Sequence, residues 1–188
     1  MRTIRVFEHV SLDGLIAPNG VDSEYVNGGW TAPYRTPAGA AMLSEMYGER
    51  FDLLLGRRTY DVWAGFWPRV EGGPFAAKLN GARKYVVTHR RGDLPWGPAE
   101  RLEGNLAEEL KKIQADSGPD LIVCGSGTVT AALLDQGLVD ELVLCVYPVV
   151  LGGGTRFAGR TPLSLRLTSS QATPTGVLVN VYSRTNGR

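Results

Sequence analysis

The sequence predicts an α/β fold: a mixed, mostly parallel sheet flanked by helices, with an antiparallel C-terminal hairpin. The first observation behind this is a set of continuous apolar runs, Phe51 to Leu55, Leu121 to Cys124 and Leu142 to Tyr147. Each is too short for a helix and does not alternate, as expected of strands buried on both faces. The second is that segments with helical spacing lie between these runs, the order that builds a parallel sheet. The third is a change of period near the C-terminus. Leu163, Leu165 and Leu167 alternate with Ser164, Arg166 and Thr168, and Val177, Val179 and Val181 do the same after Thr173-Pro174-Thr175-Gly176. That predicts a hairpin with one buried face.

The chain of 188 residues fits one domain, 1–188, large enough to bury a core without staples. Hydrophobic content of 43%, charged content of 21% and a formal net charge of +1 give no basis for nucleic-acid wrapping or a membrane surface. No run approaches membrane-spanning length. Both cysteines, Cys124 and Cys145, sit inside apolar strand runs, which predicts buried thiols in a reducing, cytoplasmic setting. With two histidines, no CxxC and no HxE, no metal site is expected.

Taken in order, Thr3 to Val10 reads as a first strand, Ser11-Leu12-Asp13-Gly14 as a turn, and Leu15-Ile16-Ala17 as a short resumption. Residues from Pro18 to Pro33 show no periodicity. A loop this long carrying Tyr25 and Trp30 reads as a lid or binding loop, with a disordered surface excursion as the alternative. Thr36-Pro37 is an N-cap with proline at the first helical position, opening a helix to about Arg50 with Met42 and Met46 inward. The strand from Phe51 to Leu55 leads through Gly56 into a helix towards Phe66, Trp67 and Pro68. Phe75 to Arg83 is a weaker helix and Tyr85 to Thr88 a strand. Asn105 with Glu108 resembles a capping box. Leu106, Leu110 and Ile113 form an apolar stripe, and Glu108 and Lys112 an outer i,i+4 pair. After the strand Leu121 to Cys124 comes a helix ended by Gly137 as a left-handed cap, with Leu138 placed for the contact that accompanies it.

Two strand ends share one layout: Gly56-Arg57-Arg58-Thr59 and Gly125-Ser126-Gly127-Thr128 each join a buried strand to a helix start through glycine. Such a junction aims free backbone N–H groups and the positive end of a helix dipole at one point, which suits an anion. Thr88-His89-Arg90 adds a hydroxyl and positive charge at a third strand end. Ligands of α/β sheets lie across neighbouring carboxyl ends, so three such ends can hold a pyrophosphate, with arginine forks for an extra phosphate. Any one junction alone is more often a tight turn, and a pair of arginines at a helix start a solvated end. The repetition carries the reading. Asp13 is a candidate catalytic residue, against the plainer reading of a turn aspartate bonding its own backbone. Trp30, Tyr34 and Trp63 are candidates to stack on a planar substrate or to anchor core and lid. His9, at the end of the first strand, either faces a cofactor or packs with a bonded ring nitrogen, and the sequence leaves that open.

Ser11 to Ala17, Gly56 to Tyr60, Val123 to Gly127, and Val139-Asp140-Glu141-Leu142 leading to Pro148 through Gly154 together resemble the dihydrofolate reductase superfamily. The chain is most similar there to the reductase half of the riboflavin-biosynthesis deaminase-reductases and their stand-alone relatives. The resemblance covers nearly the whole chain. It implies a dihydrofolate reductase-like fold, a homodimer, and an NADPH-dependent reductase of the 5-amino-6-(5-phosphoribosylamino)uracil reductase type. By that resemblance Gly56, Arg57, Arg58 and Thr59 sit on the adenosine side of NADPH, and Thr88, His89 and Arg90 by the adenine and 2′-phosphate. Gly125, Ser126, Gly127 and Thr128 hold the pyrophosphate and ribose, Ile16 and Ala17 line the nicotinamide, and Trp30 and Arg35 belong to the substrate.

Two departures narrow the substrate. Arg35 falls where dihydrofolate reductase has its pterin-binding carboxylate, which disfavours folate and favours an anion. Leu15 stands where the riboflavin reductases carry lysine, which counts against the ribitol-phosphate substrate. The expectation is hydride transfer from NADPH to a C=N or C=O carbon of a small heterocycle or sugar-linked molecule, with Asp22 or Glu24 of the loop or a water giving the proton. The alternatives are a non-catalytic dinucleotide-binding sensor of the same fold and a phosphotransferase, the latter disfavoured because neither glycine turn carries a P-loop lysine.

Overall fold

The computed structural model describes residues 2–18, 29–157 and 159–185. These residues form ten strands and five α-helices, and the buried strands alternate with helices as predicted. In chain order they are β1 (Ile4–Ser11), β2 (Leu15–Pro18), α1 (Pro37–Tyr47), β3 (Phe51–Gly56), α2 (Arg57–Phe66), α3 (Pro74–Gly81), β4 (Lys84–Val87), β5 (Ala99–Leu102), α4 (Leu106–Ala115), β6 (Asp120–Cys124), α5 (Gly127–Asp135), β7 (Glu141–Tyr147), β8 (Gly154–Arg156), β9 (Leu165–Ala172) and β10 (Leu178–Arg184). Eight strands form one sheet in the order β5-β4-β3-β6-β1-β7-β10-β9. The first six are mutually parallel, and β10 and β9 join antiparallel, which is the predicted mixed architecture.

Each face of the sheet carries its own apolar layer. Phe7, Leu53, Leu55 and Val86 point to one side, where Tyr47 of α1, Tyr60 and Trp63 of α2 and Leu79 of α3 cover them. Val6, Leu54, Leu121 and Val123 point to the other, under Leu110 and Ile113 of α4 and Val129 and Leu133 of α5. Because successive strand residues face opposite layers, β3 is buried at all of its positions, hence its unbroken apolar run.

The helix ends form as the residues dictate. Thr36 Oγ1 accepts from Gly39 N at 3.0 Å, and Gly48 at φ +81 ends α1 at Tyr47, three residues before the expected Arg50. Asn105 Oδ1 accepts from the amides of Ala107 and Glu108. Glu109, not Glu108, takes Lys112, at 2.9 Å and spacing i,i+3. At the end of α5, Gly137 lies at φ +63. Gly137 N donates to Leu134 O and Leu138 N to Leu133 O, completing the predicted left-handed cap.

Three features depart from the expectation. β5 extends the sheet beyond β4, within a segment rich in Pro and Gly whose Ala-Glu-Arg-Leu shows no strand pattern. β8 pairs with β2 in a separate two-stranded ribbon beside the main sheet. The hairpin also begins later and is buried on one strand only. Val177 and Val179 are enclosed, whereas Leu163 is 36% and Leu167 53% exposed, because β9 is an edge strand covered by no helix.

At the amino ends of the strands, Arg2 is buried and pairs with Asp52 of β3 while its Nε donates to Pro119 O before β6. Removing one partner of a buried pair strands the other charge. Asp52→Ala is expected to lower unfolding free energy by about 3–5 kcal/mol in urea titration, and Arg2→Met with Asp52→Leu to recover most of that loss.

Candidate functional site

The carboxyl ends of β3 and β6 are neighbours in the sheet, with Leu54 opposite Val123, so the two glycine corners lie side by side. Ser126 ties them together. Its Oγ accepts from Gly56 N at 2.8 Å and donates to Thr59 Oγ1 at 2.7 Å. To make that reach Ser126 adopts φ 59, ψ 55, the left-handed region that a β-carbon makes costly, directly after Gly125 at φ +57. A β-carbon on Gly56 would lie 3.0 Å from Ser126 Oγ, so the corner admits only glycine without displacement.

This bridge leaves the two helix starts without caps of their own. Neither Ser126 at the head of α5 nor Gly56 at the head of α2 makes a side-chain cap, and neither first turn contains an acid. Helices α1 and α4, which serve the core, are both capped by side chains. Two adjacent, uncapped N-termini concentrate partial positive charge and unspent amides on one spot.

Arg57 adds to it. Its Nε bonds Asp61 at 2.7 Å and its Nη2 reaches Asp93 O at 3.4 Å, while Nη1 is buried with no partner among the described residues. The reach to Asp93 brings α2 against the loop that follows β4. In that loop Thr88 is buried with its Oγ1 taking Arg90 N at 3.0 Å, and His89 and Arg90 are exposed. Arg101 of β5 donates to the carbonyls of Arg90 and Gly92, fixing the loop from below. Its role was not legible because β5 itself was not. Arg58 is exposed beside Arg57, and Thr128 is exposed at the head of α5.

Ile16 and Ala17 of β2 are half-buried, and Ile16 Cδ1 lies 2.9 Å from where a β-carbon on Gly127 would stand, so β2 lies against the glycine turn. Asp13 precedes this strand. Its carboxylate accepts from Ser11 Oγ at 2.6 Å, Leu151 N at 3.1 Å and Gly152 N at 2.8 Å, tying the turn to the glycine-rich segment after β7. The Ser11 hydroxyl, then the Leu151 amide, hold its pKa down to about 2. At neutral pH such a carboxylate is ionised and has no proton to give, and its contacts are those of a tether.

On the α1 side of the sheet lies a cavity of about 310 Å³. Phe7 and His9 of β1, Tyr147 of β7 and Val179 of β10 floor it, while Leu43 and Tyr47 of α1 and Trp67 and Phe75 wall it. His9 Nδ1 and Tyr147 Oη are 2.7 Å apart. Trp30 packs edge-on to Tyr147 at 5.0 Å, as does Tyr34 at 5.4 Å. Arg35 belongs to the lining but is exposed at the rim, where Nη2 bonds Thr31 Oγ1 at 3.3 Å, so it is not a buried cation. Trp63 is buried in the core, stacked edge-on with Trp67. Asp22, Glu24 and Tyr25 lie outside the described residues.

Cavity and corners are adjoining parts of one region: Phe7 pairs with Cys124, the residue before Gly125. Residues 2–179 match the RibD C-terminal domain family. The chain belongs to that family. Among curated proteins, Uncharacterized protein YyaP of Bacillus subtilis (strain 168) is 26% identical over 136 residues, 69% of this chain and 72% of that one. Among solved structures, a protein from Shewanella sp. PV-4 whose name places it provisionally in riboflavin biosynthesis superposes with a TM-score of 0.75 at 22% identity, covering 98% of this chain and 99% of its own. A pyrimidine reductase-like protein from Corynebacterium diphtheriae NCTC gives 0.67 at 14% identity, covering 99% and 93%. These likenesses show the shared fold, that of RibD C-terminal domains.

Among the described residues no group of three His, Cys, Asp or Glu is arranged to hold a metal, and no helix is long and apolar enough to cross a membrane. The RibD-type corner supports two predictions. Ser126→Ala leaves the Gly56 amide without its partner, and thermal and urea unfolding should show a loss of about 1–3 kcal/mol. For Asp13 the folded pKa lies below the ordinary 3.8, so its stabilisation is complete above that value and disappears as pH falls towards 2. The stability gap between the protein and Asp13→Asn, read by denaturant midpoints, should be constant near neutrality and close across that acid window.

Proposed function

We propose that the protein is an NADPH-dependent reductase that delivers hydride to a C=N or C=O carbon of a small heterocyclic or sugar-linked substrate. The observation that carries this reading is the pair of adjacent uncapped helix starts joined by Ser126, one strand away from the aromatic cavity. A pyrophosphate fits that pair because its charge meets two helix dipoles and the free amides of Gly127 and Thr128. The buried, unpartnered Arg57 Nη1 fits a further phosphoryl oxygen.

In this reading the backbone from Gly125 to Thr128 holds the pyrophosphate, and Thr59 serves Ser126 rather than the ligand directly. Arg57, Arg58 and Arg90 face the 2′-phosphate, with Thr88 and His89 beside the adenine. Ile16 and Ala17 line the nicotinamide end. NADPH, when bound, supplies the hydride. The cavity supplies a dry, planar-walled space in which Phe7, Tyr47 and Phe75 orient a flat acceptor and exclude water, and Arg35 at its rim favours an anionic substituent. Family membership supports reductase chemistry in general. We further propose a homodimer, since Leu163, Leu167 and Leu178 are all exposed on or beside the β9–β10 edge of the sheet. Light scattering should then return twice the mass of one chain.

The test is NADPH titration by tryptophan fluorescence, followed by loss of reduced-nicotinamide absorbance with pterins, pyrimidines and small carbonyls as acceptors. Tight binding with no oxidation by any acceptor would establish the sensor alternative instead. Replacing Arg57, Arg58 and Arg90 by glutamine should weaken NADPH about tenfold or more and leave NADH affinity within about threefold, because a charge-assisted hydrogen bond is worth about 1.5–3 kcal/mol.

A further inference from the structure

Within that reductase reading, on which this inference rests, reduction of C=N or C=O needs a proton as well as a hydride. We infer that His9 donates it, as a catalytic residue positioned by Tyr147. The cavity itself leads there. Among its described lining residues there is no carboxylate, and the groups able to carry a charge are His9, Tyr34, Arg35, Tyr47 and Tyr147. A guanidinium does not release its proton and a phenol holds its proton far above neutrality, whereas imidazole exchanges one near neutral pH. Asp13 is ionised and occupied by Ser11, Leu151 and Gly152.

The geometry of the pair suits the role. His9 stands on β1 two residues beyond Phe7, the partner of Cys124, so it is among the cavity residues near the strand end that opens the glycine turn. Its Nδ1 is engaged by Tyr147 Oη at 2.7 Å, which fixes the ring and leaves Nε2 as the nitrogen available to a ligand. Tyr147 is itself held, buried and wedged between Trp30 and Tyr34. A ring fixed at one nitrogen, with no partner at the other among the described residues, is a built donor.

The step balances as follows. The acceptor carbon takes hydride from the reduced nicotinamide and forms a C–H bond. The π pair of the C=N or C=O moves to nitrogen or oxygen, which takes the proton from Nε2 of the His9 imidazolium. Neutral imidazole remains, with Nδ1–H donated to Tyr147, and solvent restores the proton after product leaves.

The test compares the protein with His9→Gln and Tyr147→Phe. Two acceptors are used with NADPH: 4-nitrobenzaldehyde, whose oxygen must be protonated, and N-methyl-3,4-dihydroisoquinolinium, which accepts hydride with no proton. His9→Gln should lower kcat for the aldehyde about 10²-fold or more. It should change reduction of the iminium less than about threefold, leave the NADPH dissociation constant unaltered, and remove the pH dependence of the aldehyde rate that the unsubstituted protein shows. Equal losses on both acceptors, or an unchanged pH profile, would overturn the inference and leave the reductase reading standing. A second readout needs no turnover. With two histidines in the chain and His89→Gln to assign them, ¹⁵N imidazole spectra should show the His9 signals displaced by Tyr147→Phe and by added 4-nitrobenzaldehyde. If NADPH neither binds nor is oxidised, the reductase reading fails by itself. If the His9 signals ignore both changes, the donor assignment fails whatever the enzyme assays return.

Discussion

One side chain holds the carboxyl end of the sheet in shape. Ser126 spends its hydroxyl on the neighbouring strand's Gly56 amide and on Thr59, not on its own helix. A serine in that place would ordinarily cap α5. Diverted, it lets two dipoles stand side by side without protein groups neutralising them, and the backbone accepts a left-handed serine to do so. Helices α1 and α4 spend such caps on their own first turns, whereas at this corner the hydroxyl goes to the neighbouring strand.

The two faces of the sheet are accordingly unequal. Beneath α4 and α5 the apolar layer takes in one buried carboxylate, Glu8, which is met by Thr130 at 3.0 Å. On the α1 side the layer gapes between helix and sheet, and the space is lined with rings set edge-on to one another, such as Tyr47 against Phe75. Large rigid side chains fill volume with few torsions, so they can border an opening without collapsing into it. Buried Lys84 serves the closed part of the same layer. Its ammonium donates to Asn80 O and Gly97 O over the Trp96 ring, and burial draws its pKa down to about 8.

Much of this is legible in the sequence. Continuous apolar runs marked the strands buried on both faces, Thr36, Asn105 and Gly137 marked helix ends, and the repeated glycine corner marked the carboxyl ends of two strands. What escaped was written in contacts rather than pattern. β5 and β8 are short and polar, and exist because neighbours offer unpaired edges. Leu167 alternates like a buried residue, but alternation cannot say whether a face will be covered. His9 and Tyr147 are 138 positions apart, and only the β1–β7 pairing makes them partners. Asp13 looked reactive because turn aspartates and reactive ones share a sequence. The difference is the two amides from the far side of the fold.

The position of β1 also has a consequence for biosynthesis. This strand is made before the rest of the sheet yet lies in its middle, flanked by β6 and β7, whose residues follow it by more than a hundred positions. As the polypeptide leaves the ribosome, its apolar side chains stay uncovered, and its peptide groups stay unpaired on one edge until Cys124 has emerged and on the other until Tyr147 has. Closing loops of that size early is entropically unfavourable, so the centre of this sheet is assembled late, after its flanking strands have been made.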